Sequence, residues 1–331
     1  MTENIGVHTD HSSNEVRRIR SAYAERERTH KSNEGNPGRQ RLLRERNDTL
    51  ERILTERFQH PLSQCRVLDV GCGHGGLLGW FHERGVKPGD LYGVDLLPNR
   101  IRIARETFPA FTFLEGNAEQ LSFPDDWFDL VLVFTVFSSI LDVAMARSVA
   151  QNIGRVLTSR GVVVWYDMRY PNPWNPAIRA MTKSRIRELF PSFELQLEPS
   201  SLLPLVAHQL GRLTDRTYPL LASIPILRSH YIGLLRPSRG SRDCAAEHQP
   251  LRLCRAGRPP KHWPQHSRDC AAFTHVHRNG WSSLGCGARA CRARPFQDRA
   301  GRQARDDDGL LNTNDRSLAD AGARDELIFA N

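Results

Sequence analysis

Val67-Leu68-Asp69-Val70-Gly71-Cys72-Gly73-His74-Gly75-Gly76, followed by Gly93-Val94-Asp95, decides how this chain folds. Arg66 to Val70 is a short apolar run bounded by glycines and predicts a buried strand. From Gly75 to His82 the spacing of Leu77, Leu78 and Phe81 predicts a helix. Gly71 and Gly73 have no Cβ, so the chain can bend sharply and let a ligand lie against it, while the free N–H groups of the helix start point into the same space. In open α/β sheets that space is the crevice at the carboxyl ends of the strands. Leu91 to Leu96 predicts the second strand, and Asp95 at its end stands 24 residues after Gly71. A carboxylate there can accept both hydroxyls of a ribose; the alternative is that it caps the helix beginning near Pro98. Turn and acid together predict a pocket for an adenosine-bearing cofactor.

The glycines do not name that cofactor. Gly71, Gly73 and Gly76 also satisfy G-x-G-x-x-G, so a nicotinamide or flavin dinucleotide fits them as well. The neighbouring residues separate the readings: Asp69 is placed to orient the turn and face a charged amino-acid portion, and Asn117, in Gly116-Asn117-Ala118-Glu119 after the third strand, is placed to meet an adenine amino group.

Around this nucleus the chain alternates. Strands are expected near 66–71, 91–95, 111–115, 128–134 and 161–168, and helices near 75–84, 98–107, 142–158 and 181–190. Parallel strands with crossover helices are the economical packing for such a pattern. Phe193 to Leu197 and His230 to Leu235 would add a final antiparallel pair, with a helical, Pro-punctuated cap over 202–226 between them. Ahead of the first strand, Asn14 to Arg28 and Arg39 to Phe58 show helical patterning, separated by Gly35-Asn36-Pro37-Gly38.

Four segments in order, Leu68 to Gly75, Gly93 to Asp95, Gly116 to Pro124, and Trp127 to Val133, resemble the class I S-adenosylmethionine-dependent methyltransferases, particularly the broad bacterial group of small-molecule enzymes. The resemblance covers roughly residues 60 to 237. It implies a Rossmann-like, seven-stranded, mostly parallel sheet with helices on both faces. S-adenosyl-L-methionine would be the cofactor, held by Asp69, Gly71, Cys72, Gly73, Gly75, Asp95, Leu96, Asn117, Ala118 and Phe134. The chain departs from the family at Asn117, where Asp is usual; an amide oxygen still accepts from adenine N6. In similar enzymes a leading helix folds over the cofactor, so Tyr23 could bring a ring near the sulfonium, or simply pack.

Composition sets the boundaries. The chain has 331 residues, 39% of them hydrophobic, with net charge +9. Basic residues outnumber acidic ones 12 to 10 over 1–60, 18 to 16 over 61–237 and 16 to 11 over 238–331, so the excess lies in the last segment. A nearly neutral core argues against a nucleic-acid substrate, whose enzymes carry a basic footprint. Residues 1–60 form a helical cover, 61–237 the cofactor domain, and 238–331 a tail in which Ile and Val nearly vanish and Ser-Arg-Asp-Cys-Ala-Ala occurs twice. That composition predicts disorder, or the product of a shifted reading frame in a GC-rich gene. A zinc site from Cys286, Cys291, His275 and His277 lacks a second clean pair. No signal-like or membrane-spanning run is apparent, which predicts a cytoplasmic protein; peripheral membrane contact stays open.

Methyl transfer from a sulfonium is an in-line displacement that needs alignment, exclusion of water and, for many acceptors, loss of a proton; no metal is required. Acceptor contacts are expected from Phe134 to Ser139 and from Tyr166 to Pro176, with Tyr170, Asn172 and Asn175 as substrate-binding candidates. Asp167 is the first candidate general base and His208 the second, against loop anchoring for Asp167 and packing for His208. The Tyr166–Pro176 segment resembles methyltransferases found near polysaccharide or glycolipid assembly genes, which implies a sugar or glycolipid acceptor. The rival readings are a non-catalytic binding protein that keeps the cofactor fold, and an NAD(P)-dependent oxidoreductase, for which no Tyr/Lys hydride-transfer pair is visible.

Overall fold

A computed structural model describes residues 5–29, 35–172 and 175–238. The tail 238–331, with its repeat and the zinc candidates, lies outside the described residues apart from Ser238.

The described chain runs α1 (Ile5–Thr29), α2 (Pro37–Arg57), β1 (Val67–Val70), α3 (Gly76–Glu83), β2 (Leu91–Asp95), α4 (Pro98–Thr107), β3 (Thr112–Glu115), β4 (Phe128–Phe134), α5 (Val143–Val156), β5 (Leu157–Met168), α6 (Lys183–Leu189), β6 (Phe193–Leu202), α7 (Pro204–Gln209), α8 (Thr214–Ala222) and β7 (Arg228–Pro237). The seven strands form one sheet in the order β3-β2-β1-β4-β5-β7-β6. β1 to β5 pair in parallel, and β7 is antiparallel to both β5 and β6. Sequence order reverses between β1 and β4, so the carboxyl ends of β1, β2 and β4 frame a crevice at the switch point.

Each face of the sheet carries its own apolar layer, because successive side chains alternate. Val131, Val133, Val163 and Trp165 face α5 and α6 through Val149, Ile153, Ile186 and Phe190, and Ile19 of α1 joins them. Leu130, Leu132, Val162 and Val164 face the other way, against Leu50, Ile53 and Leu54 of α2, Leu78 and Phe81 of α3, and Ile101 of α4. β1 and β4 are buried almost throughout, as strands covered on both faces must be.

The cap between β6 and β7 has a small core of its own: Ala207, Tyr218 and Ala222 pack with Leu202 and with Leu42 of α2. α2 and α7 touch backbone to backbone. A Cβ at Gly38 would stand 1.8 Å from the Ala207 carbonyl oxygen, and the Asn36 side chain both caps α2 at Arg39 N and donates to the His208 carbonyl at 3.1 Å.

Three expectations shift. The fifth strand begins at Leu157, not 161, because Phe128 of β4 pairs with Leu157 across an irregularity in register. β6 runs on to Leu202 through Pro199 and Ser200, opposite Tyr231 and His230, so the cap helices begin only at Pro204. α1 starts well before Asn14, at Ile5.

Candidate functional site

The turn after β1 is locked to β2. Gly71 N–H and Cys72 N–H both donate to the Val94 carbonyl, at 2.7 and 3.1 Å. Gly71 and Gly73 take left-handed φ values of 75° and 55°, a conformation glycine adopts without a Cβ penalty. Asp95 then closes the loop from the β2 side: Oδ2 accepts from Gly73 N–H at 2.9 Å and Oδ1 from Leu97 N–H at 2.8 Å. The carboxylate is 6% exposed. It thus braces the turn and the entry to α4, but it does not cap that helix, whose N-cap is Leu97 with no side-chain bond.

Above Asp95 opens a cleft. Val70, Gly71, Asp95, Leu96, Asn117 and Ala118 line it from β1, β2 and β3; Phe134, Thr135, Val136 and Ser139 line it from β4 and the turn that follows. Ile19 and Tyr23 of α1 form its roof. Few polar groups converge on a mostly apolar wall, which suits a flat purine flanked by aliphatic side chains with the ribose on the carboxylate. A Cβ at Gly71 would come within 3.0 Å of Val136 Cγ2, so the missing side chain keeps this end of the cleft clear. These residues fit an adenosine-bearing group.

Asn117 is partly engaged. Its Oδ1 accepts from Glu119 N–H at 3.0 Å and its Nδ2 donates to Glu119 Oε2 at 2.6 Å. An amide oxygen has two lone pairs, so one remains for a donor such as an adenine amine.

The roof is held by polar contacts. Tyr23 Oη and Ser139 Oγ are 2.9 Å apart, and Arg18 donates to the Ser139 carbonyl. Glu15 accepts from Leu141 and Asp142 N–H. Burial alone would raise the Glu15 carboxyl, but Arg18 and those N–H donors hold it below its ordinary value. The Tyr23 ring also carries the Arg100 guanidinium, 4.6 Å from its centroid. Arg100 is 2% exposed and lines the cleft.

Other sequence candidates do not line the cleft. Asp69 is buried on the opposite face of β1 from Val70. Cys72 packs over Gly93, where a Cβ would meet its sulfur at 2.7 Å. Gly73 acts through its N–H on Asp95. Gly75, with φ of 90°, caps α3 against the Phe113 and Phe108 rings. Asp167 is fully buried; its carboxylate accepts from Ser138 N–H at 3.0 Å and Met168 N–H at 2.8 Å, and burial pushes it up to about 6. It ties the end of β5 to the turn after β4, the anchoring alternative. His208 sits on α7 in the cap. Tyr170 Oη accepts from Arg169, and Asn175 Oδ1 accepts from Ala177 N–H. Asn172, whose carbonyl accepts from Asn175 N–H, shares that loop; Pro173 and Trp174 lie outside the described residues.

Arg100 is a lining residue that the sequence did not single out, whereas Thr135 and Ser139 fall in the expected Phe134–Ser139 segment. Thr135 carries a further signal in the structure: its φ is 54°, rare for a β-branched residue and costing about 1–3 kcal/mol. Its N–H donates to the Tyr166 carbonyl at 2.7 Å.

A glycine turn clasped by the acid of the next strand thus sits at the switch point of a sheet of order 3-2-1-4-5-7-6. A family model for a methyltransferase domain matches residues 67–161. The chain is similar to phthiotriol/phenolphthiotriol dimycocerosates methyltransferase 1 of Mycobacterium ulcerans, 32% identical over 160 residues, covering 48% of this chain and 57% of that protein. It is also similar to a fatty-acid O-methyltransferase of Mycolicibacterium smegmatis, 33% identical over 133 residues, 37% of this chain and 46% of that one. The chain thus spans about half the length of these curated relatives. Among solved structures, a SAM-dependent methyltransferase from Archaeoglobus fulgidus superposes with a TM-score of 0.42 at 15% identity, covering 58% of this chain and 94% of that one.

Proposed function

We propose that the protein transfers a methyl group from S-adenosyl-L-methionine to a small lipid or glycolipid acceptor. The observation that carries the cofactor half is the Asp95 carboxylate, bonded to the glycine turn at Gly73 and lining the cleft. When bound, the cofactor supplies a methyl group on a sulfonium. The chain's part is to hold it: Asp95 takes the ribose hydroxyls, Leu96 and Ala118 flank the purine, Asn117 accepts from its amine, and Gly71 lets the amino-acid portion lie on the backbone. Ile19 and Tyr23 exclude water from above, which favours displacement at carbon over hydrolysis.

The lipid half is supported by the relatives, whose names specify phthiotriol dimycocerosates and fatty acids as substrates. The apolar wall of the cleft near Ile140, Met145 and Val149 suits such an acceptor. Among the described residues no helix is long and apolar enough to cross a membrane, and the buried thiols Cys65 and Cys72 suit a reducing cytoplasmic compartment. We read residues 1–60 as a cover and 61–237 as the catalytic domain.

Calorimetric titration with S-adenosylhomocysteine tests the cofactor. Incubation with methyl-labelled cofactor and a bacterial lipid extract tests the acceptor, label in the organic phase being the expected result. Binding without transfer to any hydroxyl, carboxyl or amine would favour the non-catalytic reading.

A further inference from the structure

Among the described residues, five of the six exposed large aliphatic side chains, Leu205, Leu213, Leu220, Ile224 and Ile226, lie in the cap between β6 and β7. Leu220 and Ile226 are 71% and 69% exposed. On α8 the division is by face. Thr214, Tyr218 and Ala222 follow one another at helical spacing and are buried, whereas Leu213, Arg216 and Leu220 fall on the opposite side. The cap core is already filled by Tyr218, Ala222, Ala207 and Leu202, so the exposed leucines are not needed to complete it.

Cations border the stripe. Arg212 and Arg216 are exposed. Asp215 is the one acidic residue between Leu203 and Leu227. Apolar side chains flanked by arginines are what an anionic lipid surface takes up, the aliphatic groups entering the acyl boundary and the guanidinium groups meeting the phosphates. Pairing with a second copy about a two-fold axis would instead set the same arginines against each other.

We propose that the β6–β7 cap docks on an anionic phospholipid membrane and so presents the cleft to a membrane-held acceptor. The second clause rests on the lipid-acceptor reading; the docking does not. The loop after β5 joins the two places: Arg169 N–H donates to the Ser229 carbonyl at 2.9 Å beside the cap, and Arg179 N–H donates to the Ser138 carbonyl at 2.8 Å beside the cleft.

The test is co-sedimentation of the full chain with vesicles of phosphatidylglycerol and phosphatidylcholine, against phosphatidylcholine alone. The full chain should sediment with the mixed vesicles and much less with the neutral ones. Arg212→Gln with Arg216→Gln should weaken partitioning about fivefold per arginine at low salt, and Leu213→Asn with Leu220→Asn by about tenfold or more. The proposal is overturned if the parent stays in the supernatant. It is equally overturned if both double variants sediment as the parent does, which would assign binding to the basic tail, or if the parent is a dimer that the leucine substitutions dissociate. Retained S-adenosylhomocysteine binding shows that the variants fold. Loss of that binding in the parent would sink the methyltransferase reading and leave the vesicle result standing.

Discussion

Asp95→Asn separates the two duties of the acid on β2. The carboxylate accepts one backbone N–H on each oxygen, Gly73 at 2.9 Å and Leu97 at 2.8 Å. An asparagine has a single acceptor oxygen, so its amide NH2 must face one of those N–H groups, donor against donor. Leaving a buried donor unsatisfied costs about 1–3 kcal/mol, which sets the expected loss of folding stability. The ribose hydroxyls meanwhile exchange charge-assisted bonds for neutral ones, a loss of roughly 1 kcal/mol each. Two hydroxyls therefore predict S-adenosylhomocysteine binding weakened about 30-fold. Calorimetry near neutral pH measures the affinity and urea unfolding the stability. A parent that binds, beside a variant whose Kd stays within about threefold, would refute the assignment of Asp95 to the ribose. Unchanged stability would refute the brace.

Gly71→Ala places a Cβ at a φ of 75° and 3.0 Å from Val136 Cγ2; the left-handed conformation alone costs about 1–2 kcal/mol, to be read as a lowered Tm together with weaker cofactor binding. Gly38→Ala sets a Cβ 1.8 Å from the Ala207 carbonyl oxygen, and the overpacking should cost about 1–3 kcal/mol or more and speed proteolysis within 203–227; unaltered digestion would show that the cap does not need that contact. Tyr23→Phe removes the bond to Ser139 Oγ and should loosen the roof by about 1 kcal/mol, seen as faster hydrogen exchange in α1 with the sheet unaffected. Burial, with Arg46 nearby, holds His230 down to about 3 from an ordinary 6.5. The unfolded chain therefore binds the extra proton first, and stability falls as pH drops below about 6.5. Asp167, raised to about 6, works in the opposite sense, losing stability as pH rises from its ordinary 3.8 through 6. His230→Gln should flatten the acid limb of a stability-versus-pH curve measured by urea unfolding.

The parts of the fold written locally were legible. β2, α4 and β4 fall on their expected bounds, because apolar runs closed by Asp95, Pro98 or a turn mark both ends. β5 was not legible at its start: Thr158, Ser159 and Arg160 are polar and continue the pattern of α5, and only pairing of Leu157 with Phe128 extends them. Ser200 and Ser201 in β6 mislead similarly, since their burial depends on β7 and on the bond from Ser201 Oγ to Tyr166 Oη. That Gly71, Asp95, Asn117 and Tyr23 line the cleft was readable because turn geometry, strand ends and aromatic character show in one dimension. Arg100 was not, since an arginine on an amphipathic helix reads as a solvent-facing charge until Tyr23 is placed over it. The spacing of Cys72 and Gly75 in the turn could not reveal that they face Gly93 and Phe113 rather than the cleft.

The two ends of the cleft differ in how firmly they are built. Its floor is continuous with strands whose hydrogen bonds run across the sheet. Its ceiling is one helix whose described side chains bury only Glu15 and Ile19, pinned to residues 139–142 by a carboxylate, a guanidinium and a phenol. Opening the cleft from above therefore means breaking those pins together with the Tyr23–Arg100 stack, the Ser12–Glu119 and Arg20–Glu115 contacts and the packing of Ile19, with the sheet left intact.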